Sequence, residues 1–177
     1  MGKKHMNNRI TLLLLVFVFF FMGCEGANAP MGEPGEVALD PALIGTWMGM
    51  DEDDEEASIL TISALTDNEY KLVYTDSGEE KSETMYLRGF VSSVDGVQFA
   101  NISCSVCEED ENEEWYFFAF EFQTGDVLLA KALEDDVYKK GLKDLTEPAQ
   151  IRAYIKMHQK DAEFFSDEIG RFLREKD

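Results

Sequence analysis

The chain has 177 residues, and its 36 Asp and Glu outnumber 16 Lys and Arg to give a formal net charge of −20. A surface of that sign repels the phosphates of nucleic acids and the headgroups of anionic lipids, so nucleic acid is excluded as a partner. With two histidines in all, the chain is also poor in groups that exchange protons near neutral pH.

The N-terminus opens with a basic stretch holding Lys3, Lys4 and Arg9. Ile10 to Met22 follows, thirteen residues whose apolar run is broken only by Thr11. A helix needs roughly 20 apolar residues to cross a bilayer core of about 30 Å. This run is too short for that but fits the apolar region of a signal peptide. Gly23-Cys24 stands directly after it. The arrangement resembles the lipobox of bacterial lipoproteins, whose cysteine is acylated and becomes the mature N-terminus. The resemblance implies lipidation of Cys24, with each buried methylene contributing about 0.8 kcal/mol to anchoring. Two other readings stay open: ordinary cleavage at Ala27-Asn28-Ala29, with Pro30 just after the cut, or an uncleaved anchor helix. Glu25, rather than an aspartate, favours the outer membrane over the inner in a Gram-negative cell. The expected address is the bacterial cell envelope. Cleavage after residue 23 removes three positive charges and no negative one, taking the net charge from −20 to −23.

Residues 24–41 contain Gly26, Gly32, Gly35, Pro30, Pro34 and Pro41 without hydrophobic periodicity, and read as a lipidated flexible tether. Residues 42–177 then make one domain, long enough to bury a sizeable core. Its predicted strands run Thr46–Met50, Ser58–Ala64, Glu69–Thr75, Lys81–Ser92, Val97–Cys104, Trp115–Phe122 and Val127–Leu133. Tyr70, Leu72 and Tyr74 alternate onto one face. Thr66-Asp67-Asn68, Val94-Asp95-Gly96 and Thr124-Gly125-Asp126 supply tight-turn chemistry. Glu147-Pro148 opens a helix whose stripe is Ile151, Tyr154, Ile155 and His158. Phe164 and Phe165 complete its packing, with His158 read as a hydrogen-bonded residue at the core edge rather than a catalyst. Ile169–Arg174 returns as a last strand. The expected fold is mostly β: an antiparallel up-and-down barrel of about eight strands, with a C-terminal helix packed on it before the last strand.

Leu43-Ile44-Gly45-Thr46-Trp47, opening this meander, resembles the Gly-x-Trp motif of lipocalin-like (calycin) barrels. The resemblance implies that Trp47 plugs the closed end and that Arg171 or Arg174 packs over it. The whole chain is also similar to uncharacterised bacterial lipoproteins, from which no activity carries over.

Cys104 and Cys107, spaced C-x-x-C in an oxidising compartment, read as a disulfide, with free thiols or a metal or redox site as the alternatives. Up-and-down parity gathers three acidic loops at the end away from Trp47. Asp51, Asp53 and Asp54, then Glu79, then Glu109, Asp110 and Glu113, would form a rim. That rim attracts cations, collects Ca²⁺ or is simply solvated. No metal or other cofactor is expected. No G-x-S-x-G, H-E-x-x-H or phosphate-cradling glycine loop occurs, which argues against an enzyme. Tyr70, Tyr74, Tyr86, Phe90, Phe99, Tyr116, Phe118 and Phe120 are candidates to line an interior. The expected function is binding of a small apolar or cationic ligand. The alternative is a non-catalytic envelope protein that contacts another protein or serves a structural role. The membrane is the expected partner through the lipid.

Overall fold

The computed structural model describes residues 26–50, 58–76, 83–104, 113–167 and 169–176. Eight strands form a closed barrel in sequence order. They are β1 (Gly45–Gly49), β2 (Ile59–Ala64), β3 (Tyr70–Asp76), β4 (Glu83–Val94), β5 (Val97–Cys104), β6 (Trp115–Thr124), β7 (Val127–Ala132) and β8 (Gly170–Arg174). Every neighbouring pair is antiparallel, and β8 closes onto β1 with Trp47 opposite Arg174. The expected barrel, with its helix before the last strand, is the observed one.

The two-residue periodicity builds two cores. Inward-facing residues, among them Ile62, Leu72, Leu87, Val91, Phe120, Leu128 and Phe172, fill the barrel with Trp47 and Leu43 at one end. The outer face of β4–β6 is buried as well. Phe90, Phe99, Trp115 and Phe117 lie under a second layer that carries Leu142, Ile151, Ile155 and Phe164. That layer comes from the β7–β8 connection. It holds a short α1 (Asp135–Val137), a π-helical turn (Tyr138–Leu142) and α2 (Pro148–His158). Alpha2 starts on a proline in its first turn, where a missing N–H costs nothing, and buries Ile151 and Ile155 as its stripe predicts. The segment 135–142 was not expected to be helical.

A larger departure concerns residues 26–41. The flexible tether expected there is instead a strap packed along the wall. Ala27 and Met31 are fully buried, and Ala29 nearly so. The cause is a gap in the barrel. Beta7 pairs with β6 as far as Ala132 opposite Phe118 and then leaves, Leu133 bridging to Phe165 instead. The edge of β6 at Phe117 and Trp115 is thereby exposed, and buried backbone groups must find partners. Ala27 meets that need at Trp115 through reciprocal N–H to carbonyl bonds, both 2.9 Å. The Phe117 N–H donates to the Tyr138 hydroxyl at 2.7 Å. Small residues suit the close approach: a Cβ at Gly26 would lie 2.9 Å from Glu114 Cβ.

The strap continues over β5, where the Met31 N–H donates to Asn101 Oδ1 at 2.9 Å. Asn101 is itself fully buried, and its amide donates to Ser92 Oγ and the Phe90 carbonyl at 3.1 and 3.3 Å. Arg152 of α2 clamps the strap by donating to the Met31 carbonyl at 3.2 Å and pairing with Glu36. Beyond it, Val37 and Leu39 pack against the interior core, and Leu43 enters it.

Candidate functional site

The interior is the best-formed concavity. It leaves a cavity of about 100 Å³, lined by residues that include Leu60, Ile62, Tyr74, Leu87, Ile102, Phe118, Phe120 and Phe172. No charged residue lines it. Small residues at Gly89, Ala100 and Ala130 open the space between larger neighbours. Of the aromatic candidates, Tyr70, Tyr74, Phe90, Phe118 and Phe120 line the cavity, whereas Tyr86, Phe99 and Tyr116 do not. Strand parity explains two of these: Tyr86 is directed outward and exposed, and Phe99 lies on the outer face, stacked on Phe165 at 6.2 Å.

One end of the barrel is closed by a compact arrangement. Trp47 is fully buried, and its indole N–H donates to the Leu43 carbonyl at 2.9 Å. The Arg174 guanidinium lies over the ring, 4.2 Å from its centroid. It donates to the Ile44 carbonyl at 2.8 Å and also to the Ala42 carbonyl. Gly45 is required by this approach: a Cβ there would come 2.7 Å from an Arg174 nitrogen, and its φ of +146° disfavours a side chain. Arg171 takes no part. It lies an odd number of positions before Arg174, with Phe172 and Leu173 between them, so it points to the opposite face of β8 and is exposed.

Beside this end, the Tyr70 hydroxyl accepts the Asp40 N–H at 2.6 Å. Burial of the phenol holds its pKa above the ordinary tyrosine value. Neutral Tyr70 is thus the form the fold selects, a structural rather than an acid–base role.

The expected acidic rim is only partly within view. Asp51, Asp53, Asp54, Glu79, Glu109 and Asp110 lie outside the described residues, as do Cys24 and Cys107. Antiparallel order places the strand ends joined by the three acidic segments at one end of the barrel, away from Trp47. Glu113 is not free to collect a cation. Arg88 binds it, with Nε at 3.1 Å, and also reaches Glu69 at 3.3 Å, while its guanidinium lies 5.5 Å from the Trp115 ring centre. Among the described residues no cluster of His, Cys, Asp and Glu side chains forms a metal site, and no helix is long and apolar enough to cross a membrane.

Cys104 is disulfide-bonded and lies at the end of β5. His158 sits at the end of α2, its Nδ1 2.8 Å from Asp161 Oδ2 and its ring 4.5 Å from that of Tyr154. What sequence reasoning missed is the strap and its Asn101 clasp. The only local signal was a polar residue on the same face of β5 as Phe99.

No protein family, curated protein or solved structure matches this chain.

Proposed function

We propose that the protein is an exported, non-catalytic lipoprotein of the bacterial cell envelope, acylated at Cys24, whose lipocalin-like barrel binds one small apolar molecule. The observation that carries the binding reading is the uncharged cavity of about 100 Å³ inside the barrel. Its size sets the ligand class. A dry apolar cavity of about 150 Å³ takes up benzene, whereas drug-sized ligands occupy roughly 300–1,000 Å³. The ligand is therefore a single ring or a short branched chain. A cation has no counter-charge inside, so a cationic ligand would belong to the acidic segments and not to the interior.

The test is a native mass spectrum of the exported chain beside its denatured mass, followed by thermal unfolding in the presence of benzene and small alkanes. A non-covalent adduct, or a transition raised as RT ln(1 + [L]/Kd), supports the reading. A variant with the void filled, Ala130→Leu, should lose that response. A bare mass together with an unmoved transition for every compound refutes it.

The alternative, contact with an envelope protein, has its own support. Val127, Leu173, Met48 and Ile59 are successive cross-strand neighbours on the outer face of β7, β8, β1 and β2. None of the four is buried. This apolar row lies on the side of the barrel that the strap and helices leave uncovered.

A further inference from the structure

We infer that the barrel is seated directly on the membrane, with the end where β6 begins facing zwitterionic lipid. The inference rests on the acylation of Cys24 proposed above. Its structural ground is the point at which the chain first becomes fixed. Ala27 is locked to Trp115 by two backbone hydrogen bonds of 2.9 Å and is fully buried. Three residues carry the chain from Cys24 to Ala27, and even fully extended they span at most about 11 Å.

No slack lies further along. Met31 is held by Asn101 and Arg152, and Glu36 by Arg152. The lipid-bearing residue and the rim of the barrel are thus separated by little more than a headgroup layer. Trp115 opens β6, so the rim in question is the one opposite Trp47 and Arg174.

Charge selects the kind of lipid. The mature chain carries about −23 by the composition above, and Glu113 and Glu114 immediately precede Trp115 at this rim. Screening at physiological salt acts over about 8 Å, comparable to the reach of the link. An anionic surface therefore pushes the rim out to the limit of the three residues, whereas a zwitterionic surface lets it settle. A ligand leaving the bilayer on this side would meet the barrel at the end that Trp47 does not close.

The experiment uses the full acylated chain in phosphatidylcholine vesicles containing a lipid with a nitroxide on its headgroup. A fluorescent amino acid replaces Asp144 or Gly125, one at a time. Both positions are exposed. Asp144 follows Lys143, whose carbonyl receives the Asn28 amide beside the strap, and Gly125 is in the β6–β7 turn at the far end, with nothing near its missing side chain. Quenching should be several-fold stronger at 144 than at 125. A long Gly-Ser insertion between Glu25 and Gly26 should erase the difference, and phosphatidylglycerol should reduce quenching at 144. Equal quenching at both sites of a chain whose intact mass shows acylated Cys24 overturns the seating while leaving the anchor standing. An intact mass without acyl groups overturns the anchor, and the seating with it.

Discussion

Replacing Asn101 by alanine tests whether the strap is part of the fold or merely lies on it. Asn101 and Ser92 are fully buried beneath the strap, and Met31 of the strap is fully buried as well. Its side chain accepts from the Met31 N–H at 2.9 Å and donates to Ser92 Oγ at 3.1 Å and to the Phe90 carbonyl at 3.3 Å. Asn101→Ala removes all three bonds and leaves the Met31 N–H without its acceptor. An orphaned buried donor costs about 1–3 kcal/mol, and the vacated volume adds to this, so the expected loss is about 2–4 kcal/mol. Against a total of roughly 5–15 kcal/mol that is a large fraction. Urea unfolding should show a lower midpoint with an unchanged slope, since the surface exposed on unfolding is nearly the same. Limited proteolysis should show faster cleavage between residues 26 and 41 than in the parent chain. A loss below about 0.5 kcal/mol, the range of ordinary surface substitutions, would refute the argument that buried strap contacts hold the wall together.

Three further outcomes are expected. Arg174→Lys should cost about 1–2 kcal/mol in urea unfolding, because an ammonium cannot stack on Trp47 and bind two carbonyls as the planar fork does. Arg171→Ala, on the exposed face, should change stability by less than about 0.5 kcal/mol. Tyr138→Phe should cost about 1–3 kcal/mol in the same assay by depriving the buried Phe117 N–H of its acceptor. Because burial raises the Tyr70 pKa above 10.0, its neutral form contributes stability that is complete below that value. The contribution is lost as pH rises through the folded pKa. A stability profile from pH 8 to 11.5 should therefore fall less steeply in Tyr70→Phe than in the parent chain.

The barrel was legible because its signals are local. Alternation in Tyr70–Asp76, the Asp95-Gly96 turn with both residues at positive φ, and the proline opening α2 each fix a short piece of chain without help from elsewhere. Gly45, Trp47 and a C-terminal arginine also pointed to the closed end. The choice between Arg171 and Arg174 depended on the parity of β8 relative to β1, which a five-residue strand does not reveal alone. The strap was illegible for a different reason. Its glycines and prolines are what a free linker contains, and what buries Ala27 and Met31 is the edge of β6 that β7 abandons. The same departure explains residues 135–142. Tyr138 is buried there because Phe117 needs an acceptor, not because its neighbours favour a helix. Cavity size was equally out of reach, since the same aromatic residues can fill a barrel or line it.

The strap also imposes an order on folding. Residues 27–31 are synthesised before the partners that hold them: Met31 finds Asn101 70 positions later, and Arg152 of α2 reaches it only across 121. The strap is therefore made before the wall yet is among the last parts to dock, and contacts of such long sequence separation form slowly. Until docking, the edge of β6 at Trp115 and Phe117 stands open to strand pairing with another nascent copy. Glu113 and Glu114, immediately before that edge, place like charge where two such chains would meet.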